Sequence, residues 1–229
     1  MTTLAENLRA VREAVSGACA RSGRNEHDVR IIAVSKTMGI GKVREAIDAG
    51  LDTFGENYVQ EAMEKIRALP SEIRWHFIGN IQKNKVRHIV RSFELIHSVG
   101  SREIAAEIDR RAQHAGHVQP VLFEINIAGE TTKSGFSPGG FSAALEFLSS
   151  LKNIRPAGLM TMPTPTDNET ELSGYFAAVH TLRDTVADRG IFGGGFRELS
   201  MGTSSDYKIA IIEGATMIRI GTLLFGPRG

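Results

Sequence analysis

Val29-Arg30-Ile31-Ile32-Ala33-Val34-Ser35-Lys36 is a strand-sized apolar run that ends on a hydroxyl and an amine. Outward from it the same unit recurs, with short apolar runs at Thr53–Gly55, Arg74–Ile78, Leu95–Ser98, Val121–Ile127, Ala157–Met160, Glu198–Ser200 and Met217–Ile220. Amphipathic segments separate them. Val43, Ala46 and Ile47 share a helical face that closes at Gly50, and Ile104, Ala105, Ile108 and Ala112 share one that closes at Gly116. Gly190 and Gly214 stop two more helices. Ser137 before Pro138 reads as an N-cap with proline at the first helical position, followed by the stripe Phe141, Leu145 and Leu148. Thr166-x-x-Glu169 reads as a capping box for a helix carrying Leu172, Phe176, Val179 and Val186. Strands alternating with helices imply a parallel sheet covered on both faces, and eight repeats favour closure into a single (β/α)8 TIM barrel. Leu4, Leu8, Val11 and Val15 add an extra N-terminal helix, expected to cover an end of the barrel. The run at Thr53–Gly55 is the weakest strand, short enough for a turn.

The 229 residues are read as one domain, 1–229, without a linker or low-complexity tract. Lys plus Arg number 27 against 26 for Asp plus Glu, so no net field favours nucleic acid or an anionic membrane, and a small molecule is the expected partner. The lone Cys19 has no disulfide partner, and the chain opens on a mixed-charge amphipathic segment, which together point to the cytoplasm.

Lys36 follows its strand immediately, at the C-terminal rim where barrel enzymes assemble their sites. Burial among apolar neighbours favours the neutral amine, the form that condenses with an aldehyde. The competing reading points Lys36 into solvent from a loop. Two later segments also end strands: Leu199-Ser200-Met201-Gly202-Thr203-Ser204-Ser205-Asp206 and Ile218-Arg219-Ile220-Gly221-Thr222. The loops after strands seven and eight commonly hold phosphate in this fold, and Ser200, Gly221 and Thr222 fit that role, with a helix expected to begin near Ser205. Ordinary turn residues would look the same. Pyridoxal 5′-phosphate (PLP), which carries both an aldehyde and a phosphate, is one ligand that would suit these features. Arg219, within an apolar strand, needs a partner; turned to the barrel mouth it would meet the PLP ring nitrogen, and turned outward it would pair with Glu213. Asn57, after Gly55-Glu56, is placed to donate to the phenolic oxygen, and His76 and Asn80 flank another strand end.

Other signals carry less. Gly39-Ile40-Gly41-Lys42 lacks the Ser or Thr of a nucleotide phosphate loop, because Val43 follows. Gly193-Gly194-Gly195 precedes a strand and belongs at the far rim. The histidines His76, His88, His97, His114 and His117 show no metal-ligand spacing, so packing or surface roles are expected.

Ala33-Val34-Ser35-Lys36, Phe54-Gly55-Glu56-Asn57-Tyr58, Trp75-His76-Phe77-Ile78-Gly79, Gly158-Leu159-Met160-Thr161-Met162, Leu199-Ser200-Met201-Gly202 and Arg219-Ile220-Gly221-Thr222 resemble the PLP homeostasis proteins, the YggS/PROSC type, related to the N-terminal barrel of alanine racemase. The likeness runs from about Val29 to Pro227. It implies that Lys36 carries PLP as a Schiff base, that Ser200, Gly221 and Thr222 hold the phosphate, and that Arg219 meets the ring nitrogen. Asn80-Ile81-Gln82-Lys83 stands where the family has Pro-Leu-Gln-Ser, and Thr203 where Met is common.

The related racemases take a second acid/base group from an added β domain across a dimer interface, for which 229 residues leave no length. The expectation is therefore a monomeric, non-catalytic PLP-binding protein in cofactor homeostasis and amino-acid balance, with PLP-dependent apo-enzymes as candidate recipients. The alternatives are a PLP-dependent amino-acid racemase using Lys36 and an unidentified base, and an imine-forming aldolase without cofactor.

Overall fold

A computed structural model describes residues 2–130 and 133–227. The strands are β1 (Arg30–Val34), β2 (Thr53–Glu56), β3 (Arg74–Phe77), β4 (Leu95–Val99), β5 (Gln119–Glu124), β6 (Ile154–Met160), β7 (Glu198–Thr203) and β8 (Met217–Ile220). Each pairs in parallel with the next, and β8 returns to β1 in the register Arg30 to Met217 and Ala33 to Ile220, which closes a (β/α)8 barrel. Around it lie α2 (Ile40–Asp48), α3 (Val59–Ala68), α4 (Val86–Ile89), α5 (Arg102–His114), α6 (Pro138–Ser150), α7 (Glu169–Asp188), α8 (Tyr207–Ile212) and α9 (Thr222–Phe225), preceded by α1 (Leu4–Arg21). No helix among the described residues is long and apolar enough to cross a membrane.

The short β2 is a strand because of what packs on it. All four of its residues are buried, and a Cβ at Gly55 would lie 2.9 Å from Ile78 Cδ1 and 3.0 Å from Ile32 Cγ2, so any larger residue would have to displace both side chains. Burying Phe54 alone supplies about 2 kcal/mol, enough to outweigh weak local propensity.

Side chains alternate between two compartments. Ala33, Phe54, Trp75, Ile96, Leu199, Ile218 and Ile220 point outward into the shell under the helices. Ile32, Leu95, Leu122, Ala157 and Met217 form a separate cluster inside the barrel. The same alternation sends His76, His97, Ser200 and Arg219 inward, one position along from those apolar residues. β6 pairs with β5 through an irregularity in which Val121 faces Pro156 and Leu122 faces Gly158. There a Cβ on Gly158 would stand 1.9 Å from the carbonyl oxygen of Glu198, so β7 can approach only a glycine.

Two expectations need correction. α1 does not cover an end of the barrel: it packs along α8 and α9 and touches α2, Asn7 donates to the Leu224 carbonyl, and Arg12 donates to the Gly50 carbonyl. It belongs to the outer helical ring, and its apolar stripe of Leu4, Leu8, Val11 and Val15 is buried there. The cap of α7 is Asn168, whose side chain accepts from the N–H groups of Thr170 and Glu171, while Thr166 binds the Glu171 carboxylate. Asn is as good a cap as Thr, and here it lies one residue before the helix begins. Ser137 does cap α6, accepting from Gly140 N–H with Pro138 in the first turn.

Candidate functional site

The strand ends of β1, β2, β7 and β8 surround a cavity of about 480 Å3 at the C-terminal rim. Lys36, Asn57, Ser204, Arg219, Gly221 and Thr222 all line it. Five of the six residues expected at the site are thus brought together. Ser200 is the exception. The strand was expected to end at Ser200, but β7 continues to Thr203, so Ser200 is fully buried inside the barrel and absent from the cavity wall. The hydroxyls that reach the cavity from this connection are those of Thr203, Ser204 and Ser205. A connection that begins at Thr203 could have been found only by knowing where the strand stops.

Backbone geometry shapes the end of the cavity formed by the connections after β7 and β8. Gly202 has φ +90°, and a Cβ there would lie 2.7 Å from Ala210 Cβ and 2.9 Å from Tyr207 Cα, so the loop folds back tightly on α8. Asp206 accepts from Thr203 N–H at 2.5 Å and from Thr203 Oγ1 at 3.0 Å. The Gly221 N–H donates to Ser204 Oγ at 3.2 Å, tying the two connections together. The helix expected near Ser205 starts at Tyr207.

Arg219 faces inward and not toward Glu213, whose carboxylate accepts from Ser173. Its NH1 donates to the Ser200 carbonyl at 2.8 Å and to Ser200 Oγ at 2.7 Å, and its NH2 to the Thr161 carbonyl at 2.9 Å. Burial lowers its pKa to about 10, partly offset by Asp206 and Glu124, so it remains a cation at neutral pH. A planar fork held by two backbone carbonyls cannot swing, which fixes the edge that it offers to the cavity.

Below Arg219 runs a polar column. His97 Nδ1 is 2.9 Å from Ser200 Oγ, and His97 Nε2 is 2.9 Å from His76 Nδ1. His76 Nε2 has no partner among the described residues. Packing or surface roles were expected for both histidines, with His76 also a possible pocket residue; both are buried inside the barrel under the site, their rings 5.0 Å apart and tilted by 48°. Burial lowers the pKa of His76 to about 3, and that of His97 falls well below its ordinary 6.5. Both are neutral when folded, whereas an unfolded chain would protonate them below 6.5. Their contribution is therefore complete above 6.5 and declines as pH falls from there toward about 3. For His76 the slope is about 1.4 kcal/mol per pH unit. A denaturation series should show folding weakened by about 2 kcal/mol near pH 5 relative to neutrality through His76 alone, with His97 acting in the same direction. A flat profile over that interval would show that the column is protonated at little cost.

A second chamber of about 300 Å3 adjoins the first, sharing Asn57, Ile78, Met162 and Arg219, and is lined in addition by Asn80, Ser98, Glu124 and Lys133. Burial raises the Glu124 pKa against the pull of Arg219. A larger cavity, about 590 Å3, lies at the opposite rim among Arg24, Arg30, Asp28, Arg197 and Glu198. It flanks the strand starts and lies away from Lys36, on the rim that serves stability in this fold.

Comparison with known proteins agrees with this geometry. The family model for the alanine racemase N-terminal domain matches residues 2–229. The pyridoxal phosphate homeostasis protein of Aquifex aeolicus is 41% identical over 97% of this chain and 97% of its own length. That of Pseudomonas aeruginosa is 42% identical over 100% of this chain and 97% of its own. Among solved structures, PipY of Synechococcus elongatus PCC7942 with PLP bound superposes with a TM-score of 0.84 at 36% identity, covering 98% of this chain and 100% of that one.

Proposed function

The chain belongs to the alanine racemase N-terminal-domain family, and from that premise we propose that it binds PLP as a Schiff base on Lys36 and serves cofactor homeostasis with little or no turnover. The observation that carries the reading is one cavity presenting a lysine from β1, a fixed guanidinium from β8 and small hydroxyl-bearing residues from the last two connections. PLP has a matching aldehyde, ring nitrogen and phosphate. The fit extends to Asn57, which lines the same cavity and whose Nδ2 is the donor proposed for the phenolic oxygen. Ser204, Gly221 and Thr222 replace the expected trio of Ser200, Gly221 and Thr222 as the phosphate contacts.

When bound, PLP supplies an aldehyde for amines and a ring that can accept electron density. The residues of this chain restrain that chemistry. Arg219 is a donor that stays charged, so the ring nitrogen beside it is kept unprotonated and withdraws electrons weakly. The described residues that line the main cavity include no histidine, tyrosine, cysteine or carboxylate, the side chains best suited to a second proton transfer. Glu124 lies in the adjoining chamber. These features support a PLP carrier over a racemase. The carrier reading includes delivery to PLP-dependent apo-enzymes by a cytoplasmic monomer.

The test combines colour and exchange. Protein reconstituted with PLP should absorb in the imine region, bleach with borohydride and yield a reduced adduct mapped to Lys36. Incubated with a panel of α-deuterated amino acids, it should release deuterium no faster than free PLP. Release well above that rate, abolished by Glu124→Gln, would establish the racemase instead. PLP transfer to an apo-enzyme with free cofactor trapped would test delivery, and sedimentation would test the monomer.

A further inference from the structure

Lys36 sits between two peptide groups that a buried cluster of charges holds from below. Lys65, on α3, is 2% exposed, and its ammonium donates to the Ser35 carbonyl at 2.7 Å, to Glu56 Oε1 at 2.7 Å and to Glu61 Oε1 at 2.6 Å. All three of its protons are thereby used. Ser35 Oγ donates to the same Glu56 oxygen at 2.6 Å, and on the other side of Lys36 the Thr37 N–H donates to Glu61 Oε1 at 2.6 Å. The restraint is needed, because Thr37 has φ +67°, a left-handed conformation that a β-branched residue rarely adopts.

Nothing in the packing of the barrel requires ions here. Glu56 is fully buried, its Oε2 lacks a partner among the described residues, and burial raises its pKa despite Lys65. An apolar filling would serve stability about as well, since buried ion pairs roughly break even against hydrophobic residues. An apolar filling could not hold a carbonyl and an N–H in fixed directions on either side of one lysine. That is what the cluster does.

Resting on the PLP reading above, we propose that Glu61, Lys65 and Glu56 are positioning residues: they clamp Ser35 and Thr37 so that the Lys36 amine is presented to the cofactor aldehyde, and so set how much bound PLP is covalently linked. The clamp touches the backbone and none of the phosphate contacts, so its loss separates covalent capture from cofactor affinity. Glu61 is the residue to change, its side chain being 27% exposed while those of Lys65 and Glu56 are buried.

In Glu61→Ala the rate of adduct formation, followed by absorbance and borohydride trapping, falls about tenfold or more, because a small misplacement of a reacting group is costly. In a Lys36→Ala background the same substitution leaves non-covalent PLP affinity within about twofold, since the phosphate and ring contacts are intact. Glu61→Gln, whose amide oxygen still accepts from Thr37 N–H, recovers part of the rate. Thr37→Gly recovers part of it in the Glu61→Ala protein, because glycine holds a positive φ without the clamp. The proposal is overturned if Glu61→Ala leaves the trapping rate unchanged, or if it weakens PLP binding equally with and without Lys36. If the unsubstituted protein forms no adduct at all, the cofactor reading itself falls, and this inference falls with it.

Discussion

Lys36→Ala is expected to abolish the imine absorbance and the borohydride-stable adduct while leaving a folded protein that still retains PLP. The separation follows from the site's construction. In the proposed reading, phosphate recognition comes from Ser204, Gly221 and Thr222 on the connections after β7 and β8, and not from the β1 end that carries Lys36. Loss of one bond at β1 removes covalent capture and leaves the hydrogen bonds to the phosphate. PLP should then exchange freely on dialysis, with an affinity reduced by an order of magnitude or more, about 1.4 kcal/mol at the least. Equilibrium dialysis with phosphorus quantification reads the affinity, and circular dichroism confirms the fold. An adduct persisting in Lys36→Ala would move the amine elsewhere, with Lys133 of the adjoining chamber the first to map.

Arg219→Met should be the most damaging substitution at the site that leaves the covalent link to Lys36 possible. The guanidinium satisfies the carbonyls of Ser200 and Thr161 and meets the Ser200 hydroxyl, all buried. A thioether leaves the Thr161 carbonyl without its donor, whereas the Ser200 carbonyl keeps the Thr161 N–H and the Ser200 hydroxyl keeps His97, so a loss of about 1–3 kcal/mol is expected in urea denaturation. The ring nitrogen would also lose its charged neighbour, and the absorbance of bound PLP should shift. Loss of stability without a spectral shift would confine Arg219 to a structural part; a shift without loss of stability would show that the carbonyls find other donors.

The readings that failed did so for identifiable reasons. Ser200 and Ser204 have the same chemistry, and only the end of β7 at Thr203 decides which one reaches the rim. Arg219 was ambiguous because Met217, Ile218, Arg219 and Ile220 are all buried, so the strand carries no polar alternation to mark its inner face. His76 and His97 looked like scattered histidines because they lie 21 residues apart on neighbouring strands. α1 was legible as a helix from its stripe, but a stripe says only that one face is covered, not by which neighbour.

The sequence by itself determined the order of strands and helices, the barrel, and the presence of Lys36, Asn57, Gly221 and Thr222 at strand ends, because these are local matters of periodicity and of where an apolar run stops. The tertiary structure alone decided which side of each buried strand faces the interior, and hence the column beneath Arg219, the burial of Ser200 with Ser204 on the cavity wall, and the charged cluster under Lys36. Those depend on register around a closed ring, where a one-residue shift exchanges inside for outside, and no single strand carries that information.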